Sequence, residues 1–332
     1  MALKESGLSG EKLLEMFRTT LLARRLDERM WLLNRSGKIP FTISGQGQEI
    51  AQIGAAYAFD LEKDYCLPYY RDLAVVLAFG MSAQDIMLSA FAKAEDPNSG
   101  GRQMPAHFGH KAHRIVTQSS PVTTQFPHAA GIALAARMAG DNIVAYASTG
   151  EGSSNQGDFH EGINFASVHK LPVVYVIHNN KYAISVPAEK QYAAKQLSDR
   201  AVGYGIPGER VNGNNIIEVY SAFKRAVDRA RSGEGPSLIE TVSYRFTPHS
   251  SDDDDRAYRS KEEVDDAKAN DPLLIFQNEL LEEGILTEEI LQNLEKEVSK
   301  EVNEATEYAE NAPYSEPESA LLYVYEENAG EE

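Results

Sequence analysis

Ile143-Val-Ala-Tyr-Ala-Ser-Thr-Gly-Glu-Gly152 and, one β-α-β unit later, Leu171-Pro-Val-Val-Tyr-Val-Ile-His-Asn-Asn180 are the stretches whose reading decides the fold. Ile143–Ser148 is a short apolar run that predicts a buried strand ending at Gly150. Asp158 is expected to open a helix, with Glu161 in the capping-box position. Phe159, Ile163 and Ala166 then fall on one stripe facing a sheet. Leu171-Pro172 breaks the pattern, and Val173–Ile177 reads as a second strand. A helix over 158–168 rises roughly 16 Å at about 1.5 Å per residue, and the returning strand covers a similar distance at about 3.3 Å per residue. The two strands are therefore expected as parallel neighbours. Glu151 and Asn180 emerge at their shared carboxyl end, where open α/β sheets bind ligands.

A carboxylate beside a carboxamide suits magnesium or calcium better than zinc, since both ligands are oxygens and no thiolate is near. Gly150 and Gly152 carry no side chains, so a diphosphate can approach the backbone closely. Gly-Glu-Gly alone also fits a turn with a solvated glutamate. The second asparagine at a strand-helix-strand distance favours the metal.

The composition narrows the classes further. The chain has 332 residues, 42% of them apolar, enough for one large α/β unit. No apolar run is long enough for a membrane span. Cys66 is the only cysteine, so no internal disulfide forms and a reducing compartment is expected. Met-Ala-Leu-Lys-Glu-Ser shows neither signal-peptide nor transit character, which makes a bacterial cytoplasmic setting the expectation. A net charge of −18 argues against nucleic-acid binding. It also means that local cations must offset a diphosphate beside Glu151.

Five segments carry a resemblance: the Gly150–Asn180 tract, Gly101-Arg-Gln-Met-Pro-Ala-His107, Ser119-Ser-Pro-Val-Thr-Thr-Gln125, Asn179-Asn-Lys-Tyr-Ala-Ile-Ser185 and Pro248-His-Ser-Ser-Asp-Asp-Asp-Asp255. From about residue 12 to residue 325 the chain resembles the thiamine diphosphate-dependent 2-oxo acid dehydrogenases. Within them it is most similar to alpha subunits of the branched-chain decarboxylating component. The resemblance implies a thiamine diphosphate-binding α/β fold, a mainly parallel sheet with helices on both faces, plus a C-terminal helical arm. It implies Mg²⁺ on Glu151, Asn180 and the Tyr182 backbone, and diphosphate and ring contacts from Tyr70, Arg71, Ser120, Val122, Gly150, Gly152, His178 and His249. His178 stands where a relative carries arginine. His249 and His107 are the implied catalytic groups, and Phe41 and Tyr70 the implied lining of the acyl pocket. Phe41 suits a plain core position equally well. Potassium is implied at Ser119, the Pro121 carbonyl, Thr124 and Gln125, although the same turn also suits an ordinary start to a helix over Pro127–Met138.

By the same resemblance the chain is half of an active site. It holds diphosphate and metal, while a beta subunit in a heterotetramer of two alpha and two beta chains supplies the acid that activates the cofactor ring. The expected reaction is oxidative decarboxylation of a 2-oxo acid such as 3-methyl-2-oxobutanoate, with acyl transfer to a lipoyl group on an acyltransferase core. Serines matching Ser250 and Ser260 are kinase targets in mitochondrial forms. Pyruvate or acetoin dehydrogenase alpha subunits share the metal motif, and a non-catalytic assembly subunit is the reading from another class. A nicotinamide enzyme needs Gly-x-Gly-x-x-Gly opening a helix, which Gly150–Gly157 does not supply. His107, His110 and His113 invite a zinc reading, but no cysteine joins them and Gly109 interrupts any helix.

Elsewhere the sequence predicts a helix over about 10–36, a loop entering a helix over 45–59, a helix over 216–231 and a strand over 237–244. It further predicts helices through 261–312 and an extended tail over the last 20 residues. Small residues crowd the 127–138 helix (Ala129, Ala130, Gly131, Ala133, Ala135, Ala136), for close packing or a subunit contact. The expected segments are 1–40 (N-terminal helical), 41–260 (cofactor-binding core) and 261–332 (C-terminal helical arm and tail).

Overall fold

The computed structural model describes residue 3 and residues 7–322. Five strands form one parallel sheet: β1 (Tyr65–Leu67), β2 (Ala145–Gly150), β3 (Val173–Asn179), β6 (Gly208–Asn212) and β7 (Ser237–Val242), in the order β1-β2-β3-β7-β6. Gly150 pairs with His178 and Asn179 with Val242, so these strands end together at one edge. A two-residue-strand hairpin, β4 (Tyr182–Ala183) with β5 (Val186–Pro187), follows that edge.

The helices are α1 (Gly10–Arg35), α2 (Glu49–Ala56), α3 (Leu73–Ala78), α4 (Ala83–Ala90), α5 (Gln125–Ala139), α6 (Gly157–Val168), α7 (Ala201–Tyr204), α8 (Ile216–Arg231), α9 (Lys261–Ala269), α10 (Pro272–Glu282) and α11 (Glu288–Asn311). They cover both faces of the sheet, which explains why β2 and β3 are apolar throughout rather than alternating. Ala145, Ala147, Val173, Tyr175 and Ile177 face α5 and α6. Val144, Tyr146, Val174 and Val176 face the opposite layer, which contains α8 and α2. Phe159, Ile163 and Ala166 are fully buried, as their spacing predicted.

Three local expectations need correction. The capping box at Asp158 does not form: the chain leaves a short turn at Gln156 in extended conformation, and α6 begins at Gly157 without a side-chain cap. Asp158 instead sits in the first turn, where a carboxylate favours the helix dipole. The next helix boundary also shifts, because α5 starts at Gln125 and takes Pro127 into its first turn, where a missing N–H costs nothing. Finally, Pro317–Leu321 forms a short helical turn inside the expected extended tail, and residues 323–332 of that tail lie outside the described residues.

The C-terminal helices fold back onto the N-terminal ones. Val298, Val302, Ala305 and Ala309 form one buried stripe of α11 in the same core as Leu13, Phe17 and Leu21 of α1. Buried Arg24 joins three elements, pairing Glu49 at the start of α2 and Asp271 at the cap of α10, each at 2.6 Å. Buried Lys93 donates to the carbonyls of Glu310 (3.1 Å) and Ala312 (2.8 Å), so its charge meets the carbonyl end of α11.

Ala129, Ala130 and Ala133 of α5 are buried, and α6 approaches α5 most closely at Gly162. A Cβ on Gly162 would stand 2.6 Å from the Phe126 carbonyl carbon and 2.7 Å from the Pro127 nitrogen. Gly131 and Ala135 lie on the exposed side, away from that contact. Gly162→Ala is expected to push the helices apart and destabilise the protein by about 1–3 kcal/mol, read as a lower urea midpoint; an unchanged midpoint would show that the helices separate freely.

Candidate active site

Four carboxyl-edge segments of the sheet meet in a cleft of about 340 Å³. Tyr69, Tyr70 and Arg71 follow β1, Gly150–Ser153 follow β2, Asn180–Ile184 follow β3, and His249 lies beyond β7; Val122 and Gln156 complete the wall. The expected cofactor positions Tyr70, Arg71, Val122, Gly150, Gly152 and His249 are thus brought together with the expected metal positions Glu151, Asn180 and Tyr182.

Glu151 is 1% exposed. Its carboxylate accepts only long hydrogen bonds, from Asn180 N (3.3 Å) and Gln191 Nε2 (3.4 Å). Burial pushes its pKa above the ordinary value. No lysine, arginine or histidine pairs with it among the described residues. Asn180 is also buried, and its Oδ1 accepts Tyr182 N at 3.3 Å. A desolvated carboxylate sharing a cavity with an amide oxygen is the donor set a hard cation requires.

Two guanidiniums are buried nearby without a carboxylate partner among the described residues. Arg71 donates to the carbonyls of Ser44 (2.6 Å) and His249 (3.3 Å) and to His249 Nδ1 (3.2 Å), while its Nε has no partner. Arg245 donates to the carbonyls of Thr247 (3.1 Å), Tyr182 (3.3 Å) and Ile184 (3.0 Å). Burial, then repulsion from Arg71, brings Arg245 down to about 10. Two positive charges anchored only by neutral acceptors form a ready counter-charge for an anion. Because Arg71 can only donate, His249 Nδ1 must accept, and Nε2 carries the proton. Burial and the two arginines hold the His249 imidazole neutral, at about 3.

The platform beneath Arg71 rests on a buried carboxyl. Ser44 Oγ (2.9 Å) and Gly45 N (2.7 Å) donate to Asp27, whose carboxyl is pushed up to about 7 by burial and by Glu49.

Several expected positions lie elsewhere. His178 is a correction: it is fully buried behind the cleft, bonded to Tyr146 Oη (2.9 Å) and Thr241 Oγ1 (2.8 Å), and burial holds it neutral at about 3. Strand alternation turns its side chain to the layer under Tyr69, whose ring stacks on it at 5.8 Å. Phe41 is half-buried and stands outside the cleft lining. His107 and Ser120 also stand outside it and bond each other (2.7 Å), tying two loops together. The zinc reading finds no support, since no trio of histidine, cysteine or acidic residues is arranged for a metal among the described residues.

Ser119 Oγ, the Pro121 carbonyl and Thr124 Oγ1 do converge, at 2.5–3.3 Å. Gln125 spends its NH₂ on the Ser148 carbonyl (2.6 Å), so only its Oε1 could join them.

Sequence reasoning missed Tyr69, Gln156, Ile184 and Arg245. For Arg245 a signal was present: a basic residue directly after a buried strand sits at the same sheet edge as the other ligands. Ile184 adopts φ 55° beside the cleft, and no sequence feature announces that conformation.

Fold and cleft together define a parallel-sheet protein with a buried carboxylate, an amide and two guanidiniums gathered at the carboxyl edge of its strands. The family described as Dehydrogenase E1 component matches residues 17–318, and the chain belongs to it. It is 67% identical over 319 residues (96% of this chain, 97% of the relative) to the 2-oxoisovalerate dehydrogenase subunit alpha of Bacillus subtilis (strain 168). It is 37% identical over 321 residues (96% and 84%) to the pyruvate dehydrogenase E1 component subunit alpha of Staphylococcus aureus (strain MW2).

The buried Glu151 charge has a measurable consequence. Its folded pKa is raised, so burial of the charge costs nothing at pH below the ordinary carboxylate range, and the destabilisation grows as pH rises from that range through the raised value. Without divalent cation, Glu151→Gln is expected to melt above the wild type at about pH 7.5, the gain fading near pH 4. Mg²⁺ added with thiamine diphosphate should raise the melting temperature of the wild type only. Equal melting curves at every pH would contradict the burial argument.

Proposed function

We propose that this chain is the alpha subunit of a thiamine diphosphate-dependent branched-chain 2-oxo acid dehydrogenase. The observation that carries the cofactor reading is a buried carboxylate in one cleft with a buried arginine, neither with an oppositely charged partner among the described residues. A cation bridging to a diphosphate satisfies both. The 67% identity to a 2-oxoisovalerate dehydrogenase subunit, against 37% to a pyruvate dehydrogenase subunit, supports the branched-chain substrate.

In this reading Glu151, Asn180 and the Tyr182 carbonyl hold Mg²⁺. The Tyr182 carbonyl keeps a second lone pair for Arg245. Arg71 and His249 hold the diphosphate, Gly150 and Gly152 let it approach the backbone, and Val122 and Tyr70 pack against the cofactor. His249, neutral and fixed in this tautomer by Arg71, presents Nε2–H as a hydrogen-bond donor to the reacting group. When bound, thiamine diphosphate supplies the carbon nucleophile and the electron sink for decarboxylating the 2-oxo acid.

The partners belong to the same proposal. A beta subunit supplies the ring-facing acid in an assembly of two alpha and two beta chains, and the acyl group passes to a lipoyl-bearing acyltransferase core. His107 is proposed as a catalytic group, Ser120 as a cofactor contact and Phe41 as a substrate contact, each in the assembled enzyme. The segments 1–40, 41–260 and 261–332 are proposed as parts of one folding unit, supported by the core that α1 and α11 share. A cytoplasmic setting is supported by the single buried thiol, Cys66.

Reconstituted with its beta partner and a lipoyl acceptor, the enzyme is expected to favour 3-methyl-2-oxobutanoate over pyruvate in kcat/KM by about tenfold or more, the discrimination that a few methylenes provide. Equal or reversed preference would overturn the substrate assignment.

The Ser119–Thr124 oxygens are proposed to hold K⁺, supported by the mutual crowding of Ser119 Oγ, the Pro121 carbonyl and Thr124 Oγ1. Replacing potassium by lithium should lower the melting temperature of the wild type, and Thr124→Val should abolish that dependence. A wild type indifferent to the exchange would remove potassium from the site.

A further inference from the structure

Only the second asparagine of the Asn179-Asn180 pair reaches the cleft. Asn179 is 3% exposed and turns toward β7. Its Oδ1 accepts Lys181 N at 3.1 Å, closing an Asx turn. Its NH₂ donates to Glu240 Oε1 (2.7 Å) and Tyr192 Oη (3.1 Å). Glu240, in the middle of β7, is fully buried, and its other oxygen accepts Ser198 N at 3.1 Å. Arg210 Nε stands 3.8 Å from Oε1.

This cluster lies directly behind a strained turn. Lys181 adopts φ 74°, a left-handed conformation that residues bearing a Cβ rarely take. That turn lets Asn180 N reach Glu151 Oε2 and places Asn180 Oδ1 over Tyr182 N. The hydrogen bond from Lys181 N to Asn179 therefore helps set where Asn180 and Tyr182 stand relative to Glu151.

The choice of a carboxylate at position 240 follows from donor chemistry. An amide side chain has a donor end and an acceptor end, and either can face a neighbour. An ionised carboxylate only accepts, so Asn179 must present its NH₂ to Glu240 and its oxygen to Lys181. A glutamine at 240 would permit the flipped amide, which leaves Lys181 N without its acceptor.

We propose that Glu240 is a positioning residue for the cation site, locking the orientation of Asn179 and through it the left-handed Lys181 turn that delivers Asn180 and Tyr182 to Glu151. The inference rests on the metal site proposed above. It extends that site to a strand that contributes nothing to the cleft wall.

The test measures Mg²⁺-dependent binding of thiamine diphosphate by calorimetry on the assembled alpha–beta enzyme, alongside kcat at saturating Mg²⁺ and the melting temperature. Glu240→Gln is expected to raise the half-saturating Mg²⁺ concentration about tenfold or more, as loss of a group behind a metal ligand typically does, with kcat at saturation little changed. Asn179→Asp, which places two carboxylates together, should be worse. The double variant Glu240→Gln/Asn179→Asp restores one donor facing one acceptor, with an oxygen still on Lys181 N. It should recover to within about threefold of the wild type, since the reversed pair makes the same hydrogen bonds. Tyr192→Phe removes the other partner of the Asn179 NH₂ at a half-exposed position where folding is not at risk, and should give a smaller rise. Wild-type Mg²⁺ dependence in Glu240→Gln, or a double variant no better than its worse parent, would overturn the proposal. A wild type that binds thiamine diphosphate without any divalent cation would overturn the metal site itself.

Discussion

Uncompensated buried charge organises this molecule. Glu151, Arg71 and Arg245 are each withdrawn from water, and none has an oppositely charged partner within ion-pairing distance among the described residues. Charges in that condition destabilise a fold unless the surrounding backbone holds them. Here it does: the carbonyls of Ser44, Tyr182, Ile184, Thr247 and His249 receive the guanidinium protons. Those carbonyls belong to loops at one edge of a parallel sheet. The sheet therefore supplies the convergence, and the loops supply the solvation.

Fixed charges of this kind need a rigid support, and a buried ion cluster on one side and a hydrogen-bonded cluster on the other provide it. Arg24 with Glu49 and Asp271 joins α1, α2 and α10, and the neighbouring Asp27 holds the Ser44–Gly45 loop on which Arg71 rests. On the other side Arg259 donates to the carbonyls of Arg245 and Thr247, and Tyr182 and Tyr244 share the carboxylate of Glu263. The acidic loop after His249 is thereby stitched to the hairpin that carries Tyr182. Asp253, inside that loop, accepts His249 N at 2.8 Å. The four adjacent aspartates are thus not a uniformly solvated run, since at least one of them orients a cleft residue.

Much of this was legible in the chain itself, and the reasons are specific. Val173–Ile177 and Ile143–Ser148 are apolar on both faces, which only a doubly covered parallel strand demands, so the positions of Glu151 and Asn180 followed directly. The 216–231 helix was legible to the residue, because Asn215 caps it and its charges lie on one face. What alternation hid was the facing of single strand positions. His178 precedes the asparagines and still points away from the cleft, and Glu240 sits in a strand whose neighbours read as plain core. Left-handed residues such as Lys181 and Ile184 were invisible, since neither is a glycine or an asparagine. The partners of Arg245 are carbonyls, which leave no trace in side-chain composition, so its place after a buried strand was the one signal it gave.

The seating of Lys93 on the last turn of α11 has a bearing on how the chain matures. The carbonyls it needs belong to residues more than two hundred positions downstream. A ribosome delivers the polypeptide from its amino end at about 5–20 residues per second, so α4 is complete roughly ten seconds or more before its neighbour exists. During that interval the ammonium group and the apolar flank of α4 await α11. Closure of this layer is therefore a late event in biogenesis, and a nascent chain halted before residue 312 exposes a surface for chaperones to guard.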